Sequence, residues 1–464
     1  MKRLLLLLFV SSVKVSVVAD DYSGTLPVVF IDTQDGQPID SKSEYVDATF
    51  YLDALDIDGI ESLGDKEHAI SLQIRGRGNY TWQSFDKKPY RLKFDNKQSI
   101  LGMKKNKHFA LLAHADDEMG FLRNAVGFEI GRKMSFRFTP EQHPVEVVLN
   151  GSYIGLYFLT ETIRVDENRL DIAKQADEEK DADKIESGWL VELDNYDDES
   201  QIRYDVTNYH LDFFKVTYHT PEVLSDIQYN WLNNQFKSIL NAIYTSDKSD
   251  NSWEMYIDID WLVRYYVAME AIDHLEAFLG SCYLHKDVDN DKWIFGPFWD
   301  LGHAFNGGHS KQKFMYEDTW FPPSIIDEIV KFPHFQQKVV EYWSTFYNDI
   351  YPSLDDYIDS YARQIAVAAK LNYKLWPQYG NEDEFARAQK VKDRFRSKVD
   401  FLQSQWGQQE LGIISIEERE NSVFSEEWYD LSGQKQFVKP SKSGIYILRT
   451  KSKNGMVKSR KVIY

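Results

Sequence analysis

Three side chains that could carry acid–base or metal chemistry lie within 27 residues of one another. His274 and Glu276 follow an amphipathic stretch that begins near Asp260, and Asp300 follows the aromatic run KWIFGPFW. Carboxylates bind hard divalent cations, and a carboxylate or neutral imidazole can accept a proton from a hydroxyl group. The spacing therefore favours a site for a metal ion and a phosphate group, with Asp300 as the metal ligand and His274 and Glu276 as catalytic candidates.

A helix and a hairpin would have to position these side chains. The run DWLVRYYVAMEAIDHLEAF has apolar residues at three- and four-residue intervals, which predicts a helix that carries both His274 and Glu276. Asp258 or Asp260 can cap its start. The runs SCYLHKD and KWIFGPFW are joined by the polar turn VDND, and together they predict a β-hairpin whose far end delivers Asp300. The alternative for His274 is a packed, hydrogen-bonded helix residue.

Composition places the chain among globular proteins. With 464 residues and 43% hydrophobic content, it can bury a large core and is expected to hold two or three structural units. The net charge of −19 argues against nucleic acid or an anionic membrane as the main partner. The single cysteine, Cys282, excludes an intramolecular disulfide and a cysteine-rich zinc site.

The N-terminus has the layout of a secretory signal peptide. Two basic residues precede the apolar run from Leu4 to Val10, and cleavage is expected after about Ala19. Lys14 interrupts the apolar stretch, which weakens the alternative of a membrane anchor. No later segment is apolar enough to cross a bilayer. We therefore expect an exported protein in the periplasm, at the cell surface or secreted.

Cationic side chains alternate with glycines shortly after the signal peptide and a first group of strands. Residues 20–75 predict a twisted antiparallel sheet, and RGRGN then places Arg75 and Arg77 beside glycines ahead of the strand PYRLKFD, which contains Lys93. Glycines let the backbone approach a ligand closely, and these cations can contact phosphate oxygens. The alternatives are a glycine-containing bend with solvated arginines and an exposed strand lysine.

Seven motifs appear in an order that resembles the spore-coat protein H (CotH) kinase family. They are RGRGNYTW, KKPYRLKFD, LGMKKNKHFALLAHADD, FLRNAVGFEIGR, VEVVLNGSYIGLYFLTETI, SGWLVELD and FGPFWD. The resemblance runs from about Leu26 to about Gly308. It implies an atypical protein-kinase-like fold that binds ATP with Mg²⁺ or Mn²⁺ and phosphorylates serine or threonine of a secreted or surface protein.

The resemblance also implies an α+β fold with two lobes. The β-rich N-lobe would span about residues 20–200, and a helical lobe would span about 201–410. Three- and four-residue periodicity independently predicts helices over 221–246 and 324–407. The dipeptide Asn150-Gly151 between apolar runs predicts a β-hairpin.

Kinase analogy assigns roles to further residues of the N-lobe. Lys93 would contact the phosphates, and Glu129 on a predicted helix would pair with it, although Arg123 and Arg132 are equally ordinary partners for that glutamate. The strand that leaves the Asn-Gly hairpin leads to Glu161 and would form the hinge beside the nucleotide pocket. Arg75 and Arg77 complete the nucleotide-binding set.

Three residues depart from the family pattern inside the expected chemistry. His274 and Glu276 align with Asn and Asp on the family helix, and Gly302 aligns with the second Asp of Trp-Asp-x-Asp. A longer acid displaces its oxygen by about 1 Å, which can slow a reaction ~10²-fold. Further metal ligands would have to be Asp273, Asp287 or Asn306. The sequence thus leaves open an active kinase, a pseudokinase that binds nucleotide, protein or glycan, and a structural envelope protein; the oligomeric state is undetermined.

The sequence pattern of segment 411–464 differs from that of the helical region before it. Its short runs WYDLSGQKQFV, SGIYILRTK and MVKSRKVIY predict strands joined by glycine-containing turns. The order Tyr-Asp-Leu, Gly, Gly-Ile-Tyr-Ile and a basic tail resembles the C-terminal sorting or attachment modules of secreted Bacteroidetes proteins. The alternative is a small β-unit that packs on the main domain.

Overall fold

The chain divides into two compact units, Met1–Phe401 and Leu402–Tyr464. The computed structural model describes residues 22–115, 119–306, 312–380, 383–407, 423–430, 434–436, 440, 444–452 and 457–463. The signal peptide predicted for residues 1–19 and the start of the predicted C-terminal module lie outside these ranges. Within them, no helix has the length and apolar character that a membrane span requires.

Seven strands of the first unit close into a barrel in the order β1-β2-β3-β4-β5-β7-β6. The strands are β1 (Val28–Thr33), β2 (Val46–Asp53), β3 (Ile70–Gly76), β4 (Tyr90–Gln98), β5 (Asn106–Leu112), β6 (Gln142–Leu149) and β7 (Ser152–Glu161). The antiparallel sheet predicted for residues 20–75 is confirmed by the pairing of β1, β2 and β3, and the parallel pairing of β1 with β6, which the prediction did not include, closes the ring. Closure removes the unpaired edges that an open sheet would expose.

Side chains alternate between the barrel interior and its outer face. Phe94 packs edge-on against Phe50 and Phe109 inside, with ring centroids 5.1 Å and 5.9 Å away. Because alternate residues of a strand point to opposite faces, Arg91 and Lys93 of β4 lie on the outer face. The barrel therefore presents cations to its surroundings from the strands that carry its core.

A second sheet follows in the chain, with strand order β12-β11-β8-β10-β9. Its strands are β8 (Trp189–Leu193), β9 (Gln201–Arg203), β10 (Lys215–Thr220), β11 (Cys282–Asp287) and β12 (Asn290–Phe295). The hairpin predicted beside the candidate site is confirmed as the antiparallel pair β11 and β12. The Asn-Gly hairpin is also confirmed, with Asn150 at φ +49° and Gly151 at φ +71° between β6 and β7.

Helices occupy the regions that the periodicity predicted. The helices are α1 (Tyr80–Ser84), α2 (Gly120–Lys133), α3 (Asp226–Ile243), α4 (Ile259–Ala271), α5 (Ile326–Ile329), α6 (Pro333–Thr345), α7 (Leu354–Leu375) and α8 (Glu384–Trp406). Asp258 caps α4 by accepting from the backbone amides of Asp260 and Trp261. The mixed α+β class is confirmed, and the division into two lobes stays a prediction.

The second unit contains a four-stranded antiparallel sheet in the order β14-β13-β15-β16. Its strands are β13 (Val423–Asp430), β14 (Lys435–Gln436), β15 (Ile445–Ser452) and β16 (Val457–Ile463). The predicted short strands are therefore present. Their role in sorting or attachment stays a prediction.

Candidate functional site

The end of strand β8 lies against the turn that follows helix α4. Asn195, two residues beyond β8, donates from Nδ2 to Oε1 of Glu276 over 2.7 Å. The same oxygen borders Gly280, where an added Cβ atom would come within 2.9 Å of it. The amide of Asn195 and the bare backbone at Gly280 therefore fix the position of the Glu276 carboxylate.

Carboxylates near Glu276 shift one another's proton affinity. Burial raises the pKa of Glu276 to about 7, and the charges of Asp300 and Asp194 add to this increase against the hydrogen bond from Asn195. Burial also raises the pKa of Asp194 to about 6, with a contribution from Glu192. Because a nearby cation favours the ionised form of a carboxylate, this cluster is electrostatically suited to receive positive charge.

The turn that carries Glu276 is not helical, so the predicted extension of the helix is wrong. Helix α4 ends at Ala271, and Asp273 has a φ of +56°, in the left-handed region that ends helices. The backbone amide of His274 donates instead to the carbonyl of Met269 over 3.0 Å. Glu276 is therefore presented by a turn, which a pattern of apolar spacing does not reveal.

A buried ion cluster anchors the end of helix α4. Nζ of Lys398 lies 2.7 Å from Glu270 and 3.4 Å from Asp273, and all three side chains are buried. Glu270 also accepts from the backbone amide of Met315 over 2.8 Å. Asp273, one of the alternative metal ligands, is thus part of an ion pair that fixes the turn.

Helix α2 holds the segment around Asp300. Asn124 accepts from the backbone amide of Leu301 over 3.0 Å, and Arg123 donates to the carbonyl of Gly302. Asp300 is exposed and has a φ of +50°, so its backbone is held in a conformation that aspartate adopts only occasionally. The hydrogen bonds to the backbone of the two residues after Asp300 hold the backbone that carries its side chain.

We expect Gly127→Ala to destabilise the protein, because a Cβ atom at Gly127 would lie 1.9 Å from Cδ1 of Leu301. Forcing an atom into a packed contact typically costs about 1–3 kcal/mol. Urea unfolding measures the loss. The double variant Gly127→Ala with Leu301→Ala is the control, because the shortened side chain makes room, so it should lose less than the sum of the single changes. Unchanged stability in Gly127→Ala would show that α2 and the Asp300 segment do not pack this closely.

His274 is a packed residue that does not meet Glu276. It is 2% exposed, its Nδ1 atom has no hydrogen-bond partner among the described residues, and burial holds its pKa well below the usual range. A different histidine approaches the acid, since Nε2 of His303 lies 3.5 Å from Oε2 of Glu276. His303 also contacts the rings of Trp320 and Phe321.

Arginines of the barrel lie near the Asp300 segment. The guanidinium of Arg77 lies 5.5 Å from the ring of Trp299, next to Asp300 in the chain. Burial lowers the pKa of Arg77, and the charge of Asp300 opposes that change. Arg75 and Arg91 are direct neighbours across β3 and β4, and the Nε atom of each is buried without a hydrogen-bond partner in the part of the chain that the structure describes. Guanidinium donors in this arrangement suit phosphate oxygens.

The cationic surface continues along the same strands. Lys93 is exposed, lies 5.5 Å from the ring of Tyr45, and pairs across the sheet with His108. Burial lowers the pKa of His108 to about 3, and the charges of Arg164 and Arg91 add to the effect. Nδ1 of His108 is also buried without a partner among the described residues. The histidine is therefore neutral and able to hydrogen-bond a ligand.

Two predicted nucleotide-site residues have other partners. Glu129 lies 3.0 Å from Arg132 and 3.5 Å from Lys133 on its own helix, which corrects the predicted pairing with Lys93. Glu161 is buried and lies 2.7 Å from Arg169. Helix neighbours satisfy the first glutamate, and a buried ion pair satisfies the second.

The described residues contain no group of three His, Cys, Asp or Glu side chains that could hold a metal ion. Asp287 is engaged with Arg137 at 2.7 Å, and Asn306 is half-buried at the end of its described segment. Mg²⁺ in phosphoryl-transfer sites commonly uses one or two carboxylates together with substrate phosphates. Asp300 supplies one carboxylate of that kind.

Sequence reasoning missed several residues of this region. Asp194 and Asn195 directly follow the apolar strand WLVEL, and polar residues at the end of a buried strand were the available signal. Arg91 and His108 were inconspicuous because their importance depends on neighbouring strands in the barrel. Register across strands decides which cations meet.

A family model described as CotH kinase protein matches residues 74–403, more than two thirds of the chain. The matched range begins one residue before Arg75 and includes all the carboxylates of the candidate site. No curated protein gives a significant match.

Proposed function

This chain belongs to the CotH kinase family, and we propose that it is an exported phosphotransferase that moves the γ-phosphate of ATP to serine or threonine of a secreted or surface protein. The observation that carries the proposal is that carboxylates and an arginine come together around Asp300. The charges of Asp300 and Asp194 act on Glu276, and Arg77 couples electrostatically to Asp300 from the barrel. Phosphoryl transfer requires cations on the phosphates and carboxylates for a metal ion.

The residues present fit a nucleotide and a divalent cation. The Nε atoms of Arg75 and Arg91 have no hydrogen-bond partner among the described residues, so these guanidinium groups keep donors for phosphate oxygens, and Arg77 extends them toward Asp300. Asp300 would hold Mg²⁺ or Mn²⁺ together with phosphate oxygens, and the ion would supply charge neutralisation on the phosphates. Lys93 lies at the exposed end of this cationic surface and would contribute long-range attraction.

Glu276 is placed to act on the acceptor hydroxyl. Its pKa of about 7 is close to neutral pH, where a general base works well. Asn195 orients one carboxylate oxygen, and His303 lies near the other. In this scheme the hydroxyl proton passes to Glu276 while the acceptor oxygen bonds to the γ-phosphorus and the bond to ADP breaks. His274 is buried and has no role in this scheme.

One observation favours a pseudokinase as the second candidate. Gly302 occupies the position where the family has its second aspartate. Its backbone carbonyl accepts a hydrogen bond from Arg123. That position offers no carboxylate for a second metal ion. A pseudokinase would bind nucleotide or a surface partner without transferring phosphate. It would retain the arginines that contact phosphates but would not catalyse the reaction.

Asp300→Asn tests the proposal. With ATP and Mg²⁺ or Mn²⁺, the unmodified protein should show a nucleotide-dependent rise in melting temperature and transfer label to a casein-like acceptor. Asp300→Asn should weaken metal-dependent nucleotide binding by at least about tenfold, because a charge-assisted contact worth about 1.5–3 kcal/mol is lost. Asp400→Asn, a change at an exposed aspartate, is the control.

The results separate the candidates. A melting shift without transfer would identify a pseudokinase. Neither shift nor transfer by the unmodified protein would overturn nucleotide binding and leave a structural envelope role. Export is tested separately by sequencing the N-terminus of the cell-associated and released protein, and the intact mass of that material tells whether the C-terminal unit is removed.

A further inference from the structure

A cavity of about 360 Å³ lies outside the candidate phosphotransfer site. Buried or half-buried rings and aliphatic groups form much of its wall, namely Phe136, Phe138, Trp261, Ile294 and Pro297. None of the cations or carboxylates discussed above as part of the phosphotransfer site lines it. A volume near 300–1,000 Å³ with apolar walls and few polar groups is typical of small-ligand sites.

One nitrogen of a buried histidine in this wall lacks a hydrogen-bond partner among the described residues. His285 is 2% exposed, and its Nδ1 lies 3.0 Å from the carbonyl of Gly296. A carbonyl can only accept, so Nδ1 carries the proton and Nε2 is an acceptor. Nε2 is buried and has no hydrogen-bond partner among the described residues. A buried acceptor left unpaired costs about 1–3 kcal/mol, which a ligand donor would offset.

Charged groups line the rim. Arg137 lies 2.7 Å from Asp287 and 3.3 Å from Asp289, and both Arg137 and Asp289 line the cavity. Asp289 is largely exposed, so its remaining acceptor capacity is available to a ligand. With one guanidinium facing two carboxylates, the rim has no excess of positive charge to attract an anion. A neutral ligand with several hydroxyl groups suits these donors and acceptors.

We propose that this cavity binds a sugar ring, as a free saccharide or as one unit of a surface glycan. A sugar has an apolar ring face that can lie against the half-buried ring of Trp261, which packs edge-on against the buried ring of Phe136 with centroids 5.2 Å apart. Its hydroxyl groups both donate and accept, so one can donate to His285 and others can meet Asp289 and Arg137. The site is independent of phosphate transfer.

A phenolic side chain is the competing occupant, and the rim argues against it. A tyrosine has a single hydroxyl group, which could satisfy His285 but would leave the carboxylate and guanidinium at the rim unused. A sugar carries hydroxyl groups around its ring and can use both ends of the cavity. The combination of rings at the base and charged groups at the rim therefore favours the saccharide.

The test is titration of the full chain with glucose, galactose, mannose and N-acetylglucosamine, followed by ligand-observed NMR, with p-cresol as the phenolic probe. We expect at least one sugar to bind with a Kd of about 1–10 mM, as expected for a ligand of this size. His285→Asn keeps a donor for the Gly296 carbonyl but removes Nε2, and it should weaken binding at least fivefold. Trp261→Ala should weaken it at least tenfold.

Tyr229→Ala removes an exposed ring that does not line the cavity and serves as the matched control. Melting curves establish that each variant is folded. Absence of binding by every sugar would overturn the proposal, as would binding of p-cresol alone. Sugar binding that survives both His285→Asn and Trp261→Ala would also overturn it, because the site would then lie elsewhere.

Discussion

Glu276→Gln is expected to raise the stability of the protein at pH 8 while removing phosphate transfer. The pKa of Glu276 is about 7 in the folded chain against an ordinary value of 4.5, so the folded state holds this proton more tightly than the unfolded state does. The resulting stabilisation is full below pH 4.5 and is lost as the pH rises through 7. At pH 8 the ionised carboxylate costs up to about 3 kcal/mol, and glutamine avoids that cost.

Urea unfolding at pH 5 and pH 8 checks this result. The gain should be large at pH 8 and small at pH 5, where Glu276 is protonated in the folded state. Glu129→Gln is the matched control, because Arg132 and Lys133 already neutralise Glu129 and its removal should bring no gain. Equal effects of Glu276→Gln at both pH values would show that the carboxylate is not strained by its neighbours.

Transfer activity gives the second half of this prediction. Glutamine keeps the size of the side chain and can still contact Asn195, but it cannot accept the hydroxyl proton. We expect a loss of about 10²-fold or more in turnover, in the range that general bases supply. Gained stability with lost activity is typical of a site where carboxylates are held together for function. Retained turnover would assign the base role elsewhere.

Lys398→Met is expected to destabilise the protein by about 3–5 kcal/mol, because it leaves two buried carboxylates without their shared cation. Glu270 and Asp273 lie 2.7 Å and 3.4 Å from Nζ, and both are almost fully buried. Burial already raises the pKa of Glu270, and loss of Lys398 removes the opposing charge. The stability deficit should therefore shrink as the pH falls and Glu270 takes up a proton.

Thermal and urea unfolding measure this effect. Lys338→Met is the control, since Lys338 forms a comparable 2.9 Å pair with Asp260 at the surface and should cost less than about 1 kcal/mol. A cost for Lys398→Met no larger than that of the control would mean that the cluster does not anchor the turn. Because Asp273 belongs to this turn, the variant should also displace Glu276 and reduce nucleotide-dependent behaviour.

Local pattern was informative wherever neighbouring residues decide the outcome. The β11–β12 hairpin, the Asn150-Gly151 turn and the Asp258 cap depend on a few adjacent residues, and each was predictable. The helix through Glu276 was wrong for a related reason. Apolar spacing continues past Ala271, but the backbone of Asp273 adopts a left-handed conformation that ends the helix. The side chain of Asp273 pairs with Lys398, which is 125 residues away in the chain.

The sequence by itself determined the α+β class, most of the elements and, through its ordered motifs, the family and the chemistry to look for. Only the tertiary structure decided which charges meet. The pairing of β1 with β6 closes the barrel, and the register of β3 and β4 places Arg75 beside Arg91. Glu129 forms its ion pair with Arg132 of the same helix. Asn195 forms a hydrogen bond with Glu276. Turns and helices follow from short-range sterics and periodicity, whereas a site depends on contacts between distant segments whose register no local pattern encodes.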